Sequence, residues 1–542
     1  MSFDGNVVLC RPAATSMSAS AVTGSNLDVY LEYGTQSGVY GSQTTTESLV
    51  AGTPFVYKMD NLTANTQYYY RVQWRVGTSG SFTADAEYKF HTQRTTGSSF
   101  KFAIMADIHY NDPNLHDAAL YNVVAANALA DDPDLFIDLG DAFMINLIPT
   151  PTQPLVEAEF ANQRPAVAEI AKTVPRIFAI GNREMERGWV LDGTADNDAI
   201  WAANARKKYY PNPNPNLDSF YTGDTVQQQH VGDMEDYYEF TWGDCQFIAL
   251  FPWWYTQTNP AQSGDDWDWT IGDAQYNWLK GTLENSTAAF KFVLIHHVLG
   301  GVRGGQKWST KFEWGGENDQ GVNEFATKRP NWSVPIHQLF VDNGVKAVFQ
   351  GHDHIYVKQD VDGFVYQAVQ MPADGQYALR NSNEYDGGIK HANSGHLRVT
   401  VSDGAEVDVE YVRAFKPGDG TNGEVTHSYT ITDSPPPPPP VLEITNITPS
   451  AQYPQQNITV TGTGFGNGTG SSIHFGNPGD KSYNYPHNKI TSWSDTQIVC
   501  EVPVYACNRF RNNPSIQRDV WVELPGETSN SYTYTILKPT SC

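Results

Sequence analysis

Positive charge is in short supply in this chain: 35 Lys and Arg stand against 60 Asp and Glu, a formal net charge of −25 over 542 residues. Binding a nucleic-acid backbone requires clustered cations that displace counterions, and no such cluster is present, which argues against a nucleic-acid polymer as partner. Long apolar runs are missing as well. No stretch approaches the ~20 residues of a membrane-spanning helix, so no membrane span is expected. Nothing after Met1 has the pattern of a signal peptide; a secreted protein whose leader has been removed would look the same. Cysteine is scarce, with 5 residues in all, too few and too scattered for a thiolate metal site. Cys500 and Cys507 are close enough in sequence to close a small disulfide loop, whereas Cys10, Cys245 and Cys542 have no evident partners. Few lysines amid abundant Thr, Ser, Asn, Gly, Tyr and Trp lean toward a secreted or periplasmic protein.

What the chain does have is a repeated arrangement. Five times a short apolar run ends directly in side chains that ligate metals. The run 102–105 leads into Asp107 and His109, and 135–139 leads into Gly140-Asp141. The run 176–180 leads into Gly181-Asn182, 292–295 into His296-His297, and 347–349 into Gly351-His352-Asp353-His354. A short continuous apolar run is the pattern of a buried strand, and open α/β sheets place their active sites at strand C-terminal ends. A lone His or Gly-Asp has little weight, being more often a packed histidine or a turn. Five such blocks in order supply seven ligands, enough for two adjacent divalent ions. Oxygen and imidazole donors without thiolate suit Zn, Mn, Fe or Co, and also admit Mg.

With these motifs the sequence resembles the calcineurin-like metallophosphoesterases, and within them the purple acid phosphatase-like branch. The resemblance covers roughly residues 1–413. It implies a four-layer α-β-β-α sandwich with a dinuclear centre at one edge. Carried over, one metal takes Asp107, His109 and His354; the other takes Asn182, His296 and His352; Asp141 bridges the two. It further implies in-line attack on a phosphoric ester by metal-bridging hydroxide, with no covalent enzyme intermediate.

Several positions depart from the family pattern. Gly181-Asn182-Arg183-Glu184 stands where the family has Gly-Asn-His-Glu. Arg183 keeps a positive charge for phosphate but cannot donate a proton at ordinary pH. The general acid is therefore unassigned; His297 is a candidate for it, with a packing or supporting role as the alternative. Met144 occupies the position of the purple enzymes' tyrosine ligand, so no purple charge-transfer band is expected. Tyr356 and Lys358 replace a Tyr-x-Arg motif, and Lys358 reads as either a phosphate contact or a solvated surface lysine.

At this length the chain should hold about three domains. Residues 1–96 read as short strands between Gly/Ser/Thr turns, and the stretch around Tyr68 resembles the tyrosine corner of fibronectin type III domains. Residues 97–433 form the catalytic domain, with crossover helices expected near 118–129 and 156–171. Trp253, Trp254, Tyr255, Trp267 and Trp269 belong to either the pocket rim or the core. Arg303, Lys307, Arg380, Lys390 and His391 are candidate rim charges. Residues 434–440, a serine and six prolines, are a stiff linker. Residues 441–542 are again all β and resemble an IPT/TIG immunoglobulin-like domain, a type of module that binds glycan or protein or acts as a spacer. The expectation is a secreted dinuclear-metal hydrolase of small-molecule phosphomonoesters or phosphodiesters. A site turned to phosphotriesters, phosphonates or sulfate esters, and a non-catalytic surface-binding protein, are the alternatives.

Overall fold

The computed structural model describes residues 3, 6–298, 303–404, 406–433, 441–466, 471–477, 486–487, 489–494, 496–524 and 527–542. The linker 434–440 lies outside them. The chain divides into two compact units, Met1–Ser434 and Pro435–Cys542.

The principal elements of the central domain begin with β1 (Phe100–Met105), α1 (Ala118–Ala130) and β2 (Leu135–Asp138). They continue through α2 (Gln153–Asn162), α3 (Arg164–Ala171), β3 (Arg176–Phe178) and α4 (Asp198–Tyr209). Next come β4 (Thr222–Gly223), β5 (Tyr238–Trp242), β6 (Cys245–Ala249), α5 (Gly272–Glu284) and β7 (Phe290–Ile295). Then follow α6 (Ile336–Asp342), β8 (Ala347–Gln350), β9 (Tyr356–Val361), β10 (Phe364–Ala368) and β11 (Ile389–His391). The domain ends with β12 (His396–Ser402), β13 (Glu406–Val412) and β14 (Val425–Thr432).

Two mixed sheets result, in the orders β3-β2-β1-β12-β13-β14 and β4-β5-β6-β7-β8-β10-β9-β11. Alternation along the strands makes the layers. In β1, Phe102 and Ile104 face the core between the sheets, while Ala103 and Met105 pack with α1 and α2 residues on the outer face. In β7, Phe292 and Leu294 face the inter-sheet core, and Val293 and Ile295 pack against α5 and α6. Strands buried on both faces must be apolar throughout, hence the continuous runs seen in the sequence.

The helix expected over 156–171 is two helices. Pro165 lies in the first turn of α3. There its missing N–H is harmless, whereas inside a continuous helix it would break the hydrogen-bond ladder. Asp117 caps α1, its side chain accepting from the backbone N–H groups of Ala119 and Leu120.

A buried ion pair ties β2 to β3 beneath the first ligand loops. Arg176 donates from Nε at 3.1 Å and from Nη2 at 2.5 Å to Asp138 Oδ2. Asp138 Oδ1 accepts the Gly140 N–H at 3.1 Å. Arg176→Met would leave Asp138 charged and unpaired in the interior, a loss of about 3–5 kcal/mol. Urea denaturation of the variant checks this; an unchanged midpoint would contradict it.

The N-terminal domain is all β. One sheet joins Val7–Cys10, Met17–Ala21 and Phe55–Met59; the other is built on Leu27–Gly34, Gln67–Arg75 and Thr83–His91. Tyr68 is buried, and its hydroxyl accepts the Thr63 N–H at 2.9 Å, closing a corner. Buried polar contacts join this domain to the central one. Arg164 Nη2 donates to Ser20 O at 2.7 Å, Arg11 Nη2 to Glu235 Oε1 at 2.6 Å, and the Tyr70 hydroxyl to Lys172 O at 2.5 Å.

The second unit packs two sheets around Ile444, Val460, Phe475, Ile498, Val522 and Ile536. Its disulfide joins Cys507 to Cys542, correcting the pairing of Cys500 with Cys507. Cys500 lies on the inward face of the strand Gln497–Glu501 and is a buried free thiol, as are Cys10 and Cys245.

Candidate metal centre

The parallel pairings bring the ligand-bearing loops together. Asp138 pairs with Met105 and with Phe178, so β1, β2 and β3 end side by side and release Asp107, Asp141 and Asn182 at one sheet edge. In the other sheet Ile295 pairs with Gln350, releasing His296 beside His352. Backbone bonds lace the loops: Asp107 N–H donates to Gly140 O at 2.9 Å, His109 N–H to Asp141 O at 3.1 Å and Gly351 N–H to His296 O at 2.8 Å. His352 N–H reaches across to Asp107 Oδ2 at 2.7 Å. Glycine is required where the loops meet. A Cβ on Gly181 would lie 2.3 Å from Asp141 N, and one on Gly351 would lie 2.9 Å from both Ala106 Cβ and Asp107 Oδ2.

Five of the seven expected ligands have left-handed backbone: Asp107, His109, Asp141, His352 and His354 have φ between 51° and 67°. Such conformations are uncommon for residues with a side chain and persist where surrounding structure enforces them, typically at functional sites.

Two candidate ligand groups form, Asp107–His109–His354 and Asp141–His296–His352. In the first, His109 Nε2 and His354 Nε2 are 3.1 Å apart, and Asp107 Oδ1 is 3.2 Å from His354 Nε2. Asp107 Oδ1 is buried and has no hydrogen-bond partner. In the second, Asn182 Oδ1 lies 3.0 Å from His296 Nε2 and 2.9 Å from His352 Nδ1, while Asp141 Oδ2 is 3.3 Å from His296 Nε2. His296 donates through Nδ1 to Leu139 O at 2.8 Å, which turns Nε2 toward the cluster, the usual support of a metal-bound imidazole.

Electrostatics agree with the geometry. Burial opposes ionisation of Asp141, but the adjacent His296, with His109 and His352 beyond it, holds its carboxyl well below the usual range. Burial also opposes charging of His296, and Asp141 outweighs it, raising that imidazole to about 9. Burial and His354 push His109 down to about 4. An orphaned carboxylate oxygen facing imidazole nitrogens, with no thiolate, fits hard or borderline divalent ions.

Arg183 lies beside this group. Its backbone N–H donates to Asp141 Oδ1 at 2.6 Å, and its Nε is 3.7 Å from Asp141 Oδ2. Nε is buried without a hydrogen-bond partner, while the side chain as a whole is 36% exposed. His297 touches the rings of His296 and His352, but its Nε2 accepts the Trp253 Nε1–H at 2.5 Å. Burial, then His296, pushes it down to about 3. His297 Nδ1 lies 3.3 Å from Val298 O, so both ring nitrogens have partners within the protein.

Tyr356 and Lys358 are not brought to the cluster. Tyr356 is buried between the sheets, stacked on Tyr411 at 4.7 Å and bonded to His427 Nδ1 at 2.7 Å. Lys358 pairs with Asp360 over the Tyr429 ring. Both residues are covered by β14. Among the rim charges, Arg303 is placed against a ligand loop, donating to His352 O. Arg380 is bound to Asp374, and Lys390 donates to Ser382 O and Tyr385 O. Trp254, Trp267 and Trp269 are buried, and Trp253 is half-buried beside His297.

Sequence reasoning gave Glu184 no role, yet it joins two ligand loops. Its carboxylate accepts from Gly181 N at 2.8 Å, Asp141 N at 3.1 Å, Ala142 N at 2.9 Å and Phe143 N at 3.0 Å. The available signal was a charged residue at a strand end with no partner in sequence.

Among solved structures, purple acid phosphatase PPD1 from yellow lupin (Lupinus luteus) seeds is similar at 16% identity, covering 79% of this chain and 74% of its own, with TM-score 0.53. A structure described as PhoD is similar at 14% identity, covering 80% of this chain and 90% of its own, with TM-score 0.56. These likenesses show the fold. No curated protein matches the sequence. Residues 100–356 match the calcineurin-like phosphoesterase family and residues 442–536 the IPT/TIG family, so the chain carries a calcineurin-like phosphoesterase domain followed by an IPT/TIG domain.

Proposed function

We propose that this chain hydrolyses small-molecule phosphoric esters at a dinuclear divalent metal centre. Asp107, His109 and His354 hold one ion, Asn182, His296 and His352 the other, and Asp141 lies between them. The observation that carries this reading is the convergence of buried ligand atoms from both sheets, with Asp107 Oδ1 left without a hydrogen-bond partner. Two ions at such a site supply Lewis-acid polarisation and an acidified water. Zn, Mn, Fe or Co suit the donors, and Met144 takes the position where a tyrosinate would give a purple Fe(III) centre.

The protein's own side chains do the rest. Arg183 offers a fixed positive charge to the phosphoryl oxygens as negative charge develops on them. Glu184 fixes the Asp141 and Asn182 loops relative to each other. Burial keeps His297 neutral, and Trp253 anchors its Nε2 beside the ligand histidines. No side chain named here is placed to protonate a poor leaving group, which favours diesters and aryl monoesters over alkyl monoesters. The disulfide, together with the composition, supports a secreted or periplasmic location. No helix among the described residues is long and apolar enough to cross a membrane.

Hydrolysis of 4-nitrophenyl phosphate and bis(4-nitrophenyl) phosphate, with and without chelator, tests the reading. Chelator-sensitive turnover of either ester supports it; turnover indifferent to chelator contradicts it. Arg183→His should raise the ratio of alkyl-monoester to aryl-monoester turnover, read with glycerol phosphate against 4-nitrophenyl phosphate, about tenfold by restoring a proton donor. An unchanged ratio would place the acid elsewhere. Metal binding without turnover of either ester would turn attention to sulfate esters, phosphonates or phosphotriesters.

A further inference from the structure

A groove of about 780 Å³ opens at the other end of the second sheet. Gln246 lies near the start of β6, and Ala288 and Ala289 immediately precede β7, whereas His296 follows the end of β7. A six-residue strand places the groove roughly 20 Å from the candidate metal centre, at about 3.3 Å per residue. The two are separate sites.

The groove is built around one fixed indole. Trp278 donates from Nε1 to Thr222 Oγ1 at 3.1 Å, and Thr222 Oγ1 donates in turn to Glu239 Oε1 at 3.0 Å. Gln246 donates from Nε2 to Glu239 Oε2 at 3.2 Å. Gln246 is 5% exposed, and its Oε1 is buried without a hydrogen-bond partner. A glycine keeps the groove open. Gly281 sits inside α5, where glycine weakens a helix relative to alanine. Nothing lies within 4 Å of a Cβ built there, and its φ is not in the left-handed range, so neither crowding nor backbone conformation requires it. A larger side chain at 281 would project into the groove.

The lining defines the ligand chemistry. No Lys or Arg is among the described residues that line the groove, its charged members are acids, and hydroxyl and amide groups surround the indole. Such a surface repels phosphate and other anions. It matches a ring with an apolar face for stacking and hydroxyls on its edge for planar acceptors and donors. We infer that this groove binds a neutral oligosaccharide, with a sugar ring stacked on Trp278 and hydroxyls bonded to Glu239 and Asn285.

Titration calorimetry of the full chain against hexasaccharides of β-1,4-glucan, β-1,3-glucan, α-1,4-glucan, β-1,4-mannan and β-1,4-xylan tests this. The expected result is saturable binding of at least one, with Kd raised at least tenfold in Trp278→Ala and binding lost in Gly281→Trp. Phosphate ester turnover should stay within about twofold in both variants, showing that they fold. If Trp278→Ala proves misfolded, Gly281→Trp alone decides. Absence of saturable binding to all five sugars would overturn the inference, as would undiminished binding by Gly281→Trp. Neither result would touch the reading of the metal centre.

Discussion

Asp141→Ala should lose metal and activity together. Asp141 is buried in the second ligand group, 3.3 Å from His296 Nε2, and its Oδ1 anchors the Arg183 backbone. No neighbouring carboxylate can take its position, because Asp107 Oδ2 is bound to His352 N–H and Glu184 is committed to four backbone amides. A fall of about a thousandfold in kcat/KM is expected, about 4 kcal/mol of transition-state stabilisation. Metal analysis of the same sample should show at least one ion missing. Asn182→Ala should act in the same direction, since Asn182 Oδ1 lies within 3.0 Å of two imidazole nitrogens. Undiminished turnover in Asp141→Ala would overturn the dinuclear assignment.

Glu184→Gln should cost both stability and metal, although the change is nearly isosteric. All four contacts to the carboxylate are N–H donors. An amide must turn its own NH2 toward one pair of them, either Gly181 and Asp141 or Ala142 and Phe143. Two buried donors would then face a donor, a loss of about 3 kcal/mol. The same four bonds hold the Asp141 loop against the Asn182 loop, so metal affinity should fall roughly 10- to 100-fold, as for other supporting groups of metal ligands. Thermal unfolding with metal and with chelator separates the two effects. The chelated protein reports the lost hydrogen bonds, and the metal-loaded protein reports the displaced ligands as well. A variant with native stability and native affinity would show that the loops hold their positions without Glu184.

The residues that converge in the two candidate ligand groups were legible in the sequence because each signal is local. A buried strand writes a continuous apolar run, and its ligand follows within a few residues, so Asp107, Asp141, Asn182, His296 and His352 could be picked out one run at a time. What depends on distant backbone was not legible. Glu184 acts on amides some 40 residues earlier, which no side-chain pattern records. Tyr356 and Lys358 follow the last ligand block closely, yet they are covered by His427 and Tyr429 from β14, and only sheet order reveals that. The disulfide failed on the same ground: Cys507 is 35 residues from Cys542 and only 7 from Cys500, but Cys500 faces the core of its own domain. The groove around Trp278 draws on β4, β5, β6 and α5, so no single segment shows it.

Metal content of the purified protein, measured alongside Asp141→Ala and read against turnover before and after chelation, tests the central claim most directly. The account predicts about two divalent ions per native chain, fewer in the variant, and turnover that disappears with chelator and returns when metal is restored. A native chain that binds no divalent ion when metal is supplied, or one that turns over equally well without it, would contradict it.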